Sequence, residues 1–232
     1  MVLMYKKKEN LKLANKYNSY QNTGTVGSMM QLSHEGLENN KYLKKFKKES
    51  KILEIGAGTS PHLEFVKHKF GKYFFLETSK FAVNFLKKKI GINKQFEFKT
   101  YSGKKIPYKN NYFDRIIISH VLEHVSDPEI FVKEMMMKLK KGGILSIALP
   151  NDPGFLWRLG RFFLKLFKVK KKLNITNLEY DYMIASEHIN SIFNLISIIR
   201  YKYGNNIISE KYSPFKVNII DLNLFYIVTL KK

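Results

Sequence analysis

Two carboxylates and two glycines carry the first chemical signal in this chain. The apolar run Lys51-Ile52-Leu53-Glu54-Ile55 leads into Gly56-Ala57-Gly58-Thr59-Ser60, and a second apolar run, Phe74-Phe75-Leu76, ends in Glu77-Thr78. Glycines after a strand let the backbone turn tightly and approach a ligand, and an acid at the end of the next strand can accept hydrogen bonds from ribose hydroxyls. The order is that of a nucleotide-binding βαβ unit, with Glu54, Gly56, Ala57, Gly58, Thr59, Glu77 and Thr78 as the candidate binding set. The third glycine of a Gly-x-Gly-x-x-Gly dinucleotide fingerprint is absent, which disfavours a dehydrogenase.

Histidine supplies the second signal. His120 and His124 are four apart, a spacing that on a helix would put both on one face as a metal pair does. No third ligand is apparent near them in the sequence, so no metal is expected. As groups able to take a proton near neutral pH, His120 is the first candidate base and His188 the second.

These residues need elements to position them. Ile52–Ile55, Tyr73–Leu76, Gln95–Lys99 and Asp114–Ser119 read as strands, the last apolar on both faces. Helices are expected over Ser28–Phe46, Pro61–Phe70 and Lys80–Lys89. Another should begin at Pro128 with Asp127 as its N-cap, bury Phe131, Met135 and Leu139, and stop at Gly142-Gly143. Ile144–Leu149 is the next strand. Residues 150–187 have no strand character, and a helix from His188 to Tyr203 precedes final strands near Ile207–Tyr212 and Leu222–Leu230. Strands alternating with helices predict a doubly wound parallel sheet, and the short connection between the last two strands predicts an antiparallel edge.

Composition narrows the partners. At 232 residues the chain can bury one α/β core. It has no cysteine, which excludes disulfides and thiolate zinc sites. Met1–Lys8 is too short in apolar residues for a signal core and no apolar run reaches spanning length, so the protein is read as cytoplasmic. The net charge of +22 invites a nucleic-acid partner, yet only four of the 41 basic residues are arginine, while lysine, asparagine, isoleucine and aromatic residues abound. A surface shaped to grip phosphates would use more of arginine's fork, so nucleic acid is not the expected partner, although general attraction to polyanions and anionic membranes follows from the charge.

Several stretches taken together resemble the class I S-adenosylmethionine-dependent methyltransferases, in the small-molecule branch with the pattern LEIGxGxG, LEHV, LKPGG. They are Leu53-Glu54-Ile55-Gly56-Ala57-Gly58, Ile106-Pro107-Tyr108, Tyr112-Phe113-Asp114, His120-Val121-Leu122-Glu123-His124-Val125 and Leu139-Lys140-Lys141-Gly142-Gly143, covering about residues 50–150. Lys141 stands where the family commonly has proline, and Ser60-Pro61 where it often has glycine. The resemblance implies a seven-stranded Rossmann-like sheet with its last strand reversed and S-adenosylmethionine as cofactor. It places Glu54 at the methionine amino group, Glu77 at the ribose, Ser102 and Gly103 at the adenine edge, and Ser119 and His120 at the sulfonium end. Ser102 stands where an adenine-contacting aspartate is frequent.

Two additions to that frame are expected: a helical extension over residues 1–50 that folds over the cofactor site, and a lid or insertion over 150–187. Within the insertion, Arg158, Arg161, Lys165, Lys168 and Lys172 follow at spacings of 3, 4, 3 and 4, a narrow basic stripe on an otherwise bulky, apolar helix. Such a helix can close over an acceptor site or lie in a membrane interface, as on the inner membrane face. The expected activity is methyl transfer to a small or lipid-linked acceptor, with a sugar of a surface polysaccharide or lipid precursor as first guess. The alternatives are an RNA methyltransferase, which the charge favours, and a non-catalytic protein that binds the cofactor without turning it over.

Overall fold

The computed structural model describes residues 24–167 and 176–232. Seven strands form one sheet: β1 (Lys51–Ile55), β2 (Lys72–Glu77), β3 (Phe96–Thr100), β4 (Phe113–Ser119), β5 (Leu139–Pro150), β6 (Ile207–Ser213) and β7 (Phe225–Lys231), in the order β3-β2-β1-β4-β5-β7-β6. All neighbours are parallel except β7, which runs antiparallel to both β5 and β6. The helices are α1 (Gly24–Glu38), α2 (Lys80–Ile90), α3 (Pro128–Lys138), α4 (Phe155–Phe167), α5 (Asn177–Glu187) and α6 (Ile192–Tyr203). The expected doubly wound fold with a reversed last strand is therefore present.

Alternation of side chains along the central strands decides which helix covers which face. Ile52, Tyr73, Phe75 and Ile117 point to one side, where Leu37 of α1 and Leu86 of α2 join them. Leu53, Phe74, Ile116 and Ile118 point to the other, against Phe131, Val132 and Met135 of α3 and Leu195, Ile196 and Ile199 of α6. Side-chain caps fix most helix starts. Ser79, Asp127 and Ser191 accept from Ala82, Ile130 and Asn194 amides, and Thr176 with Glu179 forms a capping box on α5.

Several boundaries differ from the sequence reading, each for a local reason. The helix expected over Pro61–Phe70 is a single 3-10 turn, His62–Phe65, because Glu54 accepts from the His62 amide and Glu38 from the Lys67 amide. The N-terminal helix stops at Glu38, and Asn40 caps a separate 3-10 turn, Lys41–Lys45. Helix α3 ends at Lys138 rather than at the glycines, since Leu139 is already extended and paired with Phe113; Gly142 and Gly143 lie within β5. His188 closes α5, and α6 starts only at Ile192, because the Asn190 side chain is spent on the Leu122 and Val125 carbonyls. Leu222 ends a 3-10 turn ahead of β7.

The run read as apolar on both faces hides a charge. Arg115, on the central strand β4, is wholly buried. Its Nη1 donates to Glu38 Oε1 of α1 at 2.5 Å and to His68 Nε2 at 2.8 Å, and its Nε donates to Ser146 Oγ at 3.0 Å. His62 Nε2 donates to the same Glu38 oxygen at 2.9 Å, and His34 meets His62 Nδ1 to Nδ1 at 2.9 Å. Burial alone would raise the Glu38 carboxyl, but the hydrogen bond from His62 and the Arg115 charge overcome it and hold it at about 2. Its stabilising contribution is thus complete above its ordinary value of 4.5 and is lost as the pH falls toward about 2.

Glu38→Ala would leave the Arg115 guanidinium buried without its counter-charge. The expected loss is about 3–5 kcal/mol in urea unfolding at neutral pH. A loss under about 1 kcal/mol, the scale of an exposed pair, would show that the charge is not buried.

Candidate active site

Strand order reverses between β1 and β4, so their carboxyl ends bound the crevice in which a doubly wound sheet takes its ligand. The glycine turn follows β1. Gly56 donates to Leu76 O at 3.0 Å and sits at φ +75°, where an added Cβ would fall 2.6 Å from Val121 Cγ2. Gly58 is also left-handed, at φ +56°, but an added Cβ there would meet nothing within 4 Å. The first glycine is needed by the packing; the second leaves room above the backbone. Ala57 tucks under the sheet with Ile117, and Ser60 N closes the turn on Ala57 O at 3.2 Å. The Thr59 carbonyl receives Lys89 Nζ at 3.5 Å.

Glu77 ends β2 with its carboxylate turned to this glycine turn, Oε1 accepting from Gly58 N at 2.5 Å. Burial pushes its carboxyl up to about 7, against the pull of the Gly58 and Thr78 amides. Tyr101 N bonds the Glu77 carbonyl at 2.8 Å, and the methyl of Thr78 lies 3.5 Å from where a Gly103 Cβ would stand. The loop bearing Ser102 and Gly103 is thereby brought beside the end of β2. Ser102 Oγ itself accepts from Lys104 N at 3.4 Å.

Glu54 is placed differently. Its Oε1 accepts from His62 N at 2.6 Å and its Oε2 from Tyr73 Oη at 2.6 Å, and burial pushes it up to about 7 despite both bonds. Its carboxylate caps the 3-10 turn and anchors Tyr73, with protein donors on both oxygens.

At the end of β4, Ser119 Oγ is buried with no hydrogen-bond partner. A buried hydroxyl left unpaired costs about 1–3 kcal/mol, so its position in the crevice fits a ligand's polar atom. His120 follows at φ +57°, its Nε2 2.9 Å from Ser33 Oγ of α1 and its ring edge-on to Phe225, 5.4 Å between centroids. It lies outside any helix, so the helical face imagined for His120 and His124 does not exist; His124 ends the 3-10 turn Leu122–His124. His188 arrives from the end of α5, its Nδ1 2.5 Å from Asp152 Oδ2, and its ring packs edge-on to His124 at 5.1 Å.

Helix α1 spans this end of the sheet through the Ser33–His120 bond and the stacking of His34 on Phe65. Helix α4 borders it on the other side: Trp157 Nε1 donates to Leu224 O at 2.5 Å, and its ring meets Phe225 at 6.0 Å, the residue that also touches His120. The basic stripe is split. Arg161 pairs with Asp152 and Lys165 with Asp181, while Arg158 is exposed and Lys168 and Lys172 lie outside the described residues. Phe155, Phe162, Phe163 and Leu166 are each at least half exposed. What α4 turns outward is mainly aromatic and aliphatic.

Comparisons with known proteins bear on the fold and on the stretch that carries this crevice. Residues 53–147 match the family model described as a methyltransferase domain. A protein of Methanocaldococcus jannaschii, MJ1123, itself uncharacterised, is 27% identical over 147 residues; the match covers 63% of this chain and 64% of that protein. The chain thus spans just under two thirds of the length of that curated relative. The fold is similar to that of the plantazolicin methyltransferase BpumL solved with S-adenosylhomocysteine (TM-score 0.67, 15% identity, 98% of this chain and 92% of that one). It is similar too to an S-adenosylmethionine-dependent methyltransferase of Thermotoga maritima (TM-score 0.57, 18% identity, 97% and 100%). The matched stretch is a methyltransferase domain, carried on the fold of solved S-adenosylmethionine-dependent methyltransferases.

The two glycines should respond differently to a methyl group. Gly56→Ala is expected to cost about 1–3 kcal/mol of stability, because it meets both left-handed backbone and Val121. Gly58→Ala should cost about 1–2 kcal/mol and act chiefly by filling the space above the turn. Thermal unfolding paired with S-adenosylhomocysteine titration separates the two; equal effects on both readouts would refute the assignment.

Proposed function

We propose that this protein transfers a methyl group from S-adenosylmethionine to a small or lipid-linked acceptor of apolar character. The observation that carries the reading is the crevice itself: an open left-handed Gly58, a buried carboxylate on Glu77 facing it, and an unpartnered Ser119 hydroxyl across the β1–β4 switch point. Bound there, the cofactor supplies a methyl carbon activated by its sulfonium. Glu77 would accept from the ribose hydroxyls, Gly58 and Thr59 would line the chain that joins ribose to methionine, and Thr78, Ser102 and Gly103 would border the adenine. Ser119 would donate or accept at the sulfonium end. Glu54 would reach the methionine amino group only by exchanging one of its protein donors.

Methyl transfer asks mainly for in-line positioning of the acceptor. His120 is held beside the crevice by Ser33 on one side and Phe225 on the other, and it would receive an acceptor's proton only by giving up one of its ring contacts. His188 is tied to Asp152 and reaches the site through His124. Helices α1 and α4 wall this end, which supports a closed, partly apolar acceptor chamber. The outward aromatic face of α4, with Arg158 beside it, supports presentation of the acceptor at an anionic membrane surface, a sugar on a lipid precursor being the first class to screen. Among the described residues no helix is long and apolar enough to cross a membrane.

S-adenosylhomocysteine should bind with micromolar affinity by isothermal titration, and Glu77→Ala should abolish it; a folded wild type that does not bind sinks the reading. Because a carboxylate accepting hydroxyl donors must shed its proton, affinity should weaken as the pH falls below about 7, by up to about tenfold per unit. Glu77→Gln should keep that slope only if Glu54, also at about 7, touches the cofactor. Anionic vesicles should co-sediment the protein, and Phe162→Ser/Phe163→Ser should release it. Equal sedimentation of both proteins would remove α4 as a membrane contact.

A further inference from the structure

We infer that Glu123, His124 and His188 form a binding site for a divalent transition-metal ion beside the crevice. One carboxylate oxygen of Glu123 and one ring nitrogen from each histidine lie within 4.8 Å of one another. Three ligands of these types, two imidazoles and a carboxylate, suit zinc and its neighbours in the first row and leave a position for an oxygen ligand.

Hydrogen-bond partners around the set point the same way. His124 Nδ1 is 2.7 Å from the Glu187 carbonyl, which can only accept, so the proton sits on Nδ1 and Nε2 is the basic nitrogen. That Nε2 stands 3.8 Å from Glu123 Oε1. His188 Nδ1 meets the Asp152 carboxylate, itself paired with Arg161, so its proton is likewise fixed on Nδ1. A carbonyl and a carboxylate holding the far nitrogens of two histidines is the arrangement that orients metal-ligating imidazoles.

Glu123 provides an independent observation. Its side chain is 3% exposed, and its Oε2 is buried with no hydrogen-bond partner. On its other flank stands His120. Ser33 Oγ donates to the Met30 carbonyl at 2.7 Å, so it accepts from His120 Nε2, and the opposite ring nitrogen, Nδ1, faces Glu123 Oε1 at 3.7 Å. In neutral rings, basic nitrogens and a carboxylate oxygen converge at 3.7 and 3.8 Å with no proton between them. Atoms of like polarity gather around a cation. An ion held at about 2.0–2.2 Å would draw the Glu123, His124 and His188 atoms closer together than their present spacing of up to 4.8 Å.

The site differs from the cofactor set, and its test does not need turnover. Full-length protein, stripped with chelator and checked for fold by near-ultraviolet circular dichroism, would be titrated with zinc chloride and separately with cobalt chloride. The expected result is one equivalent of zinc bound at micromolar or tighter dissociation constant, a cobalt absorption spectrum in the visible range, and a raised melting temperature. His188→Ala and the conservative Glu123→Gln should each weaken zinc at least tenfold, while His68→Gln should not. Zinc binding that is absent from the folded wild type, or unchanged in both ligand variants, overturns the site. Titration with S-adenosylhomocysteine on the same samples keeps the two readings apart: a protein that binds it but no metal loses only the metal site.

Discussion

The buried guanidinium of Arg115 is the constraint on which the rest of this structure depends. A charge in the middle of the central strand cannot be left without a partner, because the desolvation cost is several kcal/mol. Glu38 from α1 and Ser146 from β5 meet it, with His62 and His68 completing the cluster. Helix α1 is thereby fixed across the sheet, and fixing α1 sets Ser33 against His120 and His34 against Phe65. Helix α1 is thus joined electrostatically to the core that it covers. The site at the carboxyl ends of the strands inherits its near wall from that pairing.

Buried acids divide into two groups with opposite behaviour. Glu38 has a formal positive charge beside it and stays ionised to about pH 2. Glu54 and Glu77 have only neutral donors, and burial lifts both to about 7. The second pair sits at the glycine turn. Of the two, Glu77 faces the glycine turn and suits a ligand's hydroxyl donors, whereas both Glu54 oxygens are already taken by His62 N and Tyr73 Oη.

Asp152 links helix α4 to the end of α5. One of its oxygens takes both Arg161 of α4 and His188 at the end of α5, so helix α4 and the histidine cluster share an anchor. Two of the three described residues of the basic stripe, Arg161 and Lys165, are spent on such pairing. Apart from Arg158, the exposed remainder of α4 is mainly aromatic and aliphatic, so the helix offers its surroundings more apolar surface than charge.

The parts of the protein written in local sequence are those governed by local physics. Period-two apolar runs, caps such as Asp127 before Pro128, and glycines after a strand need no distant partner to be recognised, and the strands, most helices and the Glu54–Gly58 and Glu77 signals were legible on that basis. Where a side chain finds its partner across the chain, the sequence was silent or misleading. Arg115 looked like one interruption in an apolar strand, and Pro61–Phe70 looked helical until Glu54 and Glu38 claimed the His62 and Lys67 amides. His188 showed no relation to His124 until the end of α5 was folded against the turn after β4. The sequence by itself determined the sheet and the glycine turn that follows its first strand. Only the tertiary structure decided which charges are buried, which carboxylates are already engaged and which histidines share a site, because those depend on contacts between residues that periodicity cannot connect.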